Sequence, residues 1–96
     1  MWLHLFAIIK VSGESLSPAL HHGDYVLVGT AGIWRRRLRP GDVVVFHHPQ
    51  YGRMIKRVRS ISADAQELIV VGDAPGSVDS LTFGPIPRRS VVGKGL

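Results

Sequence analysis

A serine in a turn is the first residue of this sequence that could carry chemistry. The segment Gly13-Glu14-Ser15-Leu16-Ser17-Pro18 lies between two apolar stretches, and its glycine allows close approach of another backbone. A serine hydroxyl becomes a good nucleophile only when a neighbouring base accepts its proton. Because turns of this composition are common, the serine gains significance only if the chain also supplies that base.

Histidine is the usual base for a serine, and the chain contains five histidines. Four of them form the pairs His21-His22 and His47-His48, and no arrangement of histidine with aspartate indicates a catalytic triad. Adjacent residues on a strand point to opposite faces, so neither pair by itself predicts a metal site. We therefore expect no metal and no other cofactor, and we expect solvent-facing or capping roles for these side chains.

Lysine can replace histidine as the base when burial lowers its pKa from about 10.4 towards neutrality. Residues 54–58, Met-Ile-Lys-Arg-Val, have the pattern of a strand. Alternation places Lys56 on the same face as Met54 and Val58, with Ile55 on the other face. This apolar flank favours a neutral amine, whereas the alternative is a lysine that extends from an amphipathic strand to water.

Short apolar runs predict the elements that must position these side chains. Residues 25–28, 43–46 and 68–71 are rich in valine and other strand-forming residues, and Gly-Asp pairs mark the adjoining turns. Residues 1–9 are apolar apart from His4 and are predicted to form a core strand. They are too short for a membrane-spanning helix, which needs about 20 apolar residues. The pattern predicts a small, coiled all-β domain with no long helix.

The end of the chain carries weaker strand signals. Residues 83–87, Phe-Gly-Pro-Ile-Pro, are too rich in proline for a central strand, and residues 90–92 are predicted to form a closing edge strand. A length of 96 residues predicts one domain over residues 1–96, and the absence of cysteine excludes disulfides.

The charge of the chain is strongly basic. Twelve lysines and arginines against seven acidic residues give a formal net charge of +5, which favours contact with polyanions. Much of this charge is concentrated in Arg35, Arg36, Arg37 and Arg39. The simpler interpretation of that run is a solvated loop, and the alternative is a binding patch.

The candidate serine and lysine belong to a series of short motifs in a fixed order. These motifs occupy residues 13–20, 23–28, 41–46, 55–58, 72–73, 77–80, 83–87 and 92–94. The ordered set resembles signal peptidase I over nearly the whole chain from Val11 onward. The resemblance implies an all-β fold with a small coiled, barrel-like catalytic core, similar also to the C-terminal domains of LexA-type repressors.

The same resemblance implies roles for individual residues. Ser15 would attack the scissile carbonyl, and Lys56 would accept its proton as general base. Ser77 would hydrogen-bond the lysine amine and orient it, while Asp79 would support that corner of the site. The backbone N–H of Ser15 would meet the oxyanion.

Three positions depart from the family pattern. Leu16 stands where methionine is typical, a swap that conserves volume, so we expect little effect. Ala74 replaces an asparagine that follows the Gly-Asp pair, and Leu81 replaces an arginine. The last change predicts that Asp79 lacks the cationic partner that the arginine would provide.

The resemblance also implies how a substrate binds. A protein precursor with an N-terminal leader would lie as an extended strand between residues 8–12 and residues 52–55, with main-chain pairing supplying affinity. Leu16, Leu20 and Ile55 are the predicted walls of the substrate pockets, which would favour small residues before the cut.

The leading hypothesis is a serine endopeptidase with a Ser/Lys dyad that removes a leader through an acyl-enzyme. With no spanning helix predicted, we expect a cytoplasmic protein similar to nickel-type superoxide dismutase maturation proteases, with membrane association as the alternative location. Peripheral contact with an anionic membrane is compatible with the charge, and no nucleic-acid partner is expected. The alternative functions are a LexA-type self-cleaving regulator and a basic non-catalytic β-domain that binds nucleic acid or anionic membrane.

Overall fold

The computed structural model describes residues 6–11, 22–30, 37–73 and 76–95, and these residues form one antiparallel sheet. Its strands are β1 (Phe6–Lys10), β2 (Tyr25–Gly29), β3 (Val43–His48), β4 (Gly52–Ile61), β5 (Glu67–Val71), β6 (Ile86–Pro87) and β7 (Val91–Gly95). A one-turn helix, α1 (Ser80–Phe83), and a 3₁₀ turn (Arg88–Ser90) complete the described elements. None of the described helices has the length and apolar character needed to cross a membrane. The prediction of an all-β fold is confirmed.

The strands follow the order β1-β2-β7-β3-β4-β5-β6, so the described sheet ends at β1 and β6 and is not closed. The strands predicted at residues 25–28, 43–46 and 68–71 are present as β2, β3 and β5. β1 forms the later part of the strand predicted for residues 1–9, and residues 1–5 lie outside the description. β6, which contains Pro87, pairs only with β5 at the end of the sheet, where a missing N–H is tolerated.

The prediction of a closing edge strand near residues 90–92 is wrong, because β7 lies between β2 and β3. Gly93 explains how this strand fits in the middle of the sheet. A Cβ atom at this position would overlap with Val28 Cγ1 and would lie 3.0 Å from the carbonyl oxygen of Gly29. The missing side chain therefore permits a packing that the short strand signal alone does not reveal.

Alternation along β3 and β4 divides the core between the two faces of the sheet. Val44 and Phe46 contribute to one apolar cluster, whereas Val45 belongs to the other. The first cluster contains Leu38, Val44, Phe46, Val58, Leu68, Val70, Ile86 and Val91, and the second contains Ala7, Ile9, Val11, Val26, Val28 and Val45. Each face of β4 is thus backed by buried apolar side chains, which fixes the direction in which its polar residues point.

Polar side chains attach the segment before α1 to the end of β5. Ser80 Oγ accepts a hydrogen bond from the backbone N–H of Val70 at 2.8 Å, and Asp79 Oδ2 accepts one from Gly72 at 2.9 Å. Asp79 also begins α1, because its Oδ1 accepts from the N–H of Leu81 at 2.9 Å. These bonds satisfy backbone N–H groups in β5, just after it and in the first turn of α1, and they fix the carboxylate in place.

Candidate active site

Lys56 lies in the middle of β4 and is buried, with only 4% of its surface exposed. It pairs with Val44 of β3 and shares its face of the sheet with Met54 and Val58, as the alternation predicts. Burial among these apolar side chains lowers the pKa of the Lys56 amine, because the charged form loses its hydration. The fold therefore supplies the setting that a lysine base needs.

Asp79 is the counter-charge at this position and is also 4% exposed. Its carboxylate raises the pKa of Lys56, but burial is the larger of the two effects, so the pKa of the amine remains below its ordinary value. The proximity follows from the sheet register, because Arg57 pairs with Val71 and β5 ends there. Lys56 therefore lies next to the turn at Gly72, whose N–H holds the Asp79 carboxylate.

Ser77 is half-buried on the segment that returns from β5, two residues before Asp79. This is the segment on which the sequence placed both supporting residues, although the orienting role of Ser77 stays a prediction. Ser15, Leu16 and Leu20 lie outside the described residues, as does Ala74. The structure thus brings Lys56, Asp79 and the Ser77 segment to one corner, and the serine of the dyad remains a sequence-based assignment.

A groove of about 440 Å³ opens beside Lys56. Its described lining comes from β1, β3, β4, the turn before β4 and the segment before α1, and consists of Ile9, Lys10, Val45, Tyr51, Arg53, Met54, Ile55, Lys56 and Val78. Ile55, predicted as a pocket wall, is therefore part of this groove, and its role in binding a substrate stays a prediction. Parts of β1 and β4, the two segments expected to flank a bound peptide, face the same cavity.

The first half of β4 also has an edge that could accept another strand. One side of residues 52–57 pairs with β3, from His48↔Gly52 to Val43↔Arg57. On the opposite side, β5 pairs with β4 only from Arg57 onward. Among the described residues no strand pairs with this side of residues 52–56, so its N–H and C=O groups are suited to β-strand addition by a peptide.

Arg57 makes a contact network that sequence reasoning did not identify. Its Nη2 donates to Asp73 Oδ2 at 2.8 Å, its Nε donates to both carboxylate oxygens at 3.1 Å, and its Nη1 donates to the carbonyl oxygen of Gly41 at 2.8 Å. These bonds join β4 to the turn before β3 and to the turn after β5. Two sequence features could have indicated this network. Alternation along the strand directs Arg57 away from Lys56, and the Gly-Asp motif at residues 72–73 supplies an acidic partner.

The departure at Leu81 has a different consequence from the one expected. Leu81 is 81% exposed, and its apolar side chain cannot form an ion pair with Asp79. Its backbone N–H nevertheless donates a hydrogen bond to Asp79 Oδ1. Two backbone N–H groups and the nearby Lys56 amine surround the Asp79 carboxylate instead. The acid therefore has partners that do not depend on an arginine at this position.

The described histidines do not assemble a metal site. His48 Nδ1 accepts hydrogen bonds from the backbone N–H groups of Gln50 and Tyr51 at 3.0 and 3.2 Å, which is a capping role for the turn after β3. His47, its neighbour, is exposed. Within residues 6–11, 22–30, 37–73 and 76–95, no group of three or more His, Cys, Asp or Glu side chains could hold a metal ion.

Comparison with protein families matches residues 1–65 to the family described as "Signal peptidase, peptidase S26". The chain belongs to the signal peptidase family. The family match includes Lys56 and all of β4, and it also covers the segment that contains Ser15. Membership therefore rests on the same part of the sequence that supplies both members of the candidate dyad.

Curated relatives give the same result. The chain is 37% identical over 57 residues to signal peptidase IB of Staphylococcus aureus strain COL, and the same holds for strains Mu50 and N315. The aligned segment comprises 59% of this chain and 30% of each relative. The aligned segment thus spans less than a third of the length of these signal peptidases.

Proposed function

We propose that this chain is a serine endopeptidase in which Ser15 is the nucleophile and Lys56 is the general base. The observation that carries the proposal is the position of Lys56, buried on β4 with a lowered pKa and facing a groove beside a strand edge with which no described strand pairs. A lysine that only snorkels to water would keep its amine hydrated. Membership of the signal peptidase family supports peptide-bond hydrolysis as the reaction.

The chemistry proceeds through an acyl-enzyme. Ser15 Oγ attacks the scissile carbonyl carbon while its proton passes to Lys56 Nζ, and the backbone N–H of Ser15 stabilises the oxyanion. Collapse of the tetrahedral intermediate breaks the C–N bond, and the ammonium returns the proton to the leaving amine. A water molecule then attacks the ester with Lys56 again accepting a proton, which releases the carboxylate product and restores the Ser15 hydroxyl.

Ser77 and Asp79 support this base. Ser77 would orient the Lys56 amine towards Ser15. It would thereby act as the third residue that a nucleophile and its base require. The Asp79 carboxylate opposes the effect of burial on the pKa of Lys56. A base works best when its pKa lies near the working pH, so the carboxylate keeps the amine from becoming too weak a base.

The substrate would be the N-terminal leader of a protein precursor, bound as an extended strand along residues 52–56. The half-buried side chain of Ile55 would contact it from β4, with Leu16 and Leu20 as further pocket walls. A nickel-type superoxide dismutase precursor is the candidate that the sequence favours. The alternative is a typical signal peptide of the kind cut by other members of the family.

The test is to incubate the protein with both candidates, a nickel superoxide dismutase precursor and a standard signal-peptide substrate. Wild type is expected to cut one of them, whereas Ser15→Ala and Lys56→Ala should lose cleavage at neutral pH. Lys94→Ala is the matched control, because Lys94 is a lysine of β7 that does not line the groove and should not be needed. Cleavage of neither substrate by wild type would contradict the proposal, and cleavage by Lys56→Ala would remove the lysine as base.

A further inference from the structure

Two cationic side chains line the candidate groove from different strands. Lys10 lies at the end of β1 and Arg53 lies near the start of β4, and both line the cavity and are exposed. Lys56 is the third cation of the described lining, and that lining contains no carboxylate. The wall of the groove around Lys10 and Arg53 therefore carries positive charge.

Three other cations in the described part of the chain have acidic partners. Arg57 is bound to Asp73, and Lys94 Nζ lies 3.5 Å from Asp42 Oδ2. Lys56 has the Asp79 carboxylate near it. Within the described residues neither Lys10 nor Arg53 forms a salt bridge, so their charges are available to a bound molecule.

The strand geometry defines where on a peptide these charges would act. Arg53 precedes Lys56 by three residues, which corresponds to about 10 Å along a strand. A peptide paired with the edge of β4 would therefore place the residue opposite Arg53 about three positions from the residue opposite Lys56. Side chains directly opposite each other on paired strands make contact, so Arg53 would contact the peptide side chain at that position.

We propose that the groove selects leader peptides that carry an acidic side chain opposite Arg53, about three positions from the residue opposite Lys56, where Lys10 and Arg53 bind it. This inference rests on the proposed function and adds a substrate class to it. Lys10 contributes from β1 and Arg53 from β4, so the acidic side chain lies between the two strands that flank the peptide. The selectivity is distinct from the preference for small residues next to the cut.

The expected size of the effect follows from the exposure of both cations. Exposed ion pairs contribute modestly, so we expect a glutamate at the right position to improve kcat/KM by about twofold to fivefold over glutamine. Because the contact is made equally in the ground state and the transition state, the gain should appear in KM, with kcat unchanged. It should also decrease as salt is added, because salt screens exposed charges.

The experiment uses synthetic leader peptides of the two candidate precursors with single substitutions. Each position within five residues of the cut is replaced in turn by glutamate, glutamine and lysine, and kcat and KM are measured with wild type. Arg53→Gln and Lys10→Gln should each reduce the preference for glutamate, and Arg53→Glu should shift it towards lysine. Arg59→Gln is the matched control, because Arg59 is an exposed arginine on the same strand outside the groove.

Binding separates this inference from the proposed function. The same peptides are bound to the Ser15→Ala variant and followed by fluorescence polarisation, with thermal unfolding used to show that each variant is folded. Tighter binding of glutamate peptides that is lost in Arg53→Gln supports the inference, even if no peptide is cut and the proposed function fails. Cleavage or binding that is equal for glutamate, glutamine and lysine peptides would overturn the inference and leave the peptidase proposal intact.

Discussion

The Asp79 carboxylate lies near enough to the Lys56 amine to raise its pKa, against the lowering caused by burial. Both side chains are 4% exposed, so their interaction is little screened by water. The carboxylate is fixed by the N–H groups of Gly72 and Leu81, and the amine is fixed by the position of Lys56 on β4. Two structural features, a helix cap and a sheet register, thus determine together how easily this lysine loses its proton.

The first prediction concerns the pH dependence of cleavage. The rate should rise with pH as the Lys56 amine loses its proton, with the midpoint below the ordinary pKa of lysine. Asp79→Asn removes the charge that raises the pKa of Lys56, so the rise in kcat/KM should move to lower pH. Profiles of kcat/KM against pH for both proteins measure this shift. Asp64→Asn, in a turn away from the groove, is the control, and equal midpoints for Asp79→Asn and wild type would contradict the assignment.

The second prediction concerns stability at alkaline pH. Burial places the pKa of Lys56 in the folded chain below its unfolded value of about 10.4. Between these two values the unfolded chain binds more protons, so the free energy of unfolding should increase as pH rises through this interval. Each kcal/mol corresponds to about 4–8 °C in Tm for a domain of this size. Thermal unfolding from neutral pH to pH 10 should show this increase in stability in wild type and in the control variant Lys10→Met. The same increase in Lys56→Met would be inconsistent with a buried Lys56 amine.

The third prediction concerns the Arg57 network. Arg57→Gln removes the two-pronged contact with Asp73 and the bond to the Gly41 carbonyl, whereas Arg57→Lys can retain only part of it. The Arg57 and Asp73 side chains are 31% and 23% exposed. We therefore expect the free energy of unfolding to fall by only about 0.5–1.5 kcal/mol in Arg57→Gln and by less in Arg57→Lys. Urea unfolding measures the difference. Arg59→Gln provides the comparison on the same strand, and an equal effect of both glutamine variants would show that the network adds nothing.

The fourth prediction concerns the close approach of β7 to β2. Gly93→Ala would force its new methyl group against Val28, and overpacking of this kind costs about 1–3 kcal/mol. Val28→Ala in the same chain should recover part of that loss, because it removes the overlapping atom. Gly95→Ala, whose Cβ would lie 3.2 Å from Val43 Cβ, should cost less. A double-mutant cycle measured by thermal unfolding detects the coupling, and strict additivity of the two changes would argue against this contact.

The amino-acid sequence was sufficient for the local features of the fold. β-branched runs next to Gly-Asp turns predicted β2, β3 and β5, because strand preference and turn chemistry depend on near neighbours. Alternation placed Lys56 on the apolar face of its strand for the same reason, since the side-chain period of a strand is two. The order of the motifs predicted the family, which the match over residues 1–65 confirms.

Only the tertiary structure decided which distant residues meet. It inserted β7 between β2 and β3, because Gly93 leaves room beside Val28, and it joined Arg57 to Asp73 across two strands. It also placed Lys10 and Arg53 on one groove. A strand pattern specifies the face of each side chain but not the neighbouring strand, because pairing depends on packing between segments far apart in the chain. The candidate serine and lysine were thus predicted from the sequence, whereas the extent of burial of Lys56 and the effect of Asp79 on its pKa came from the fold.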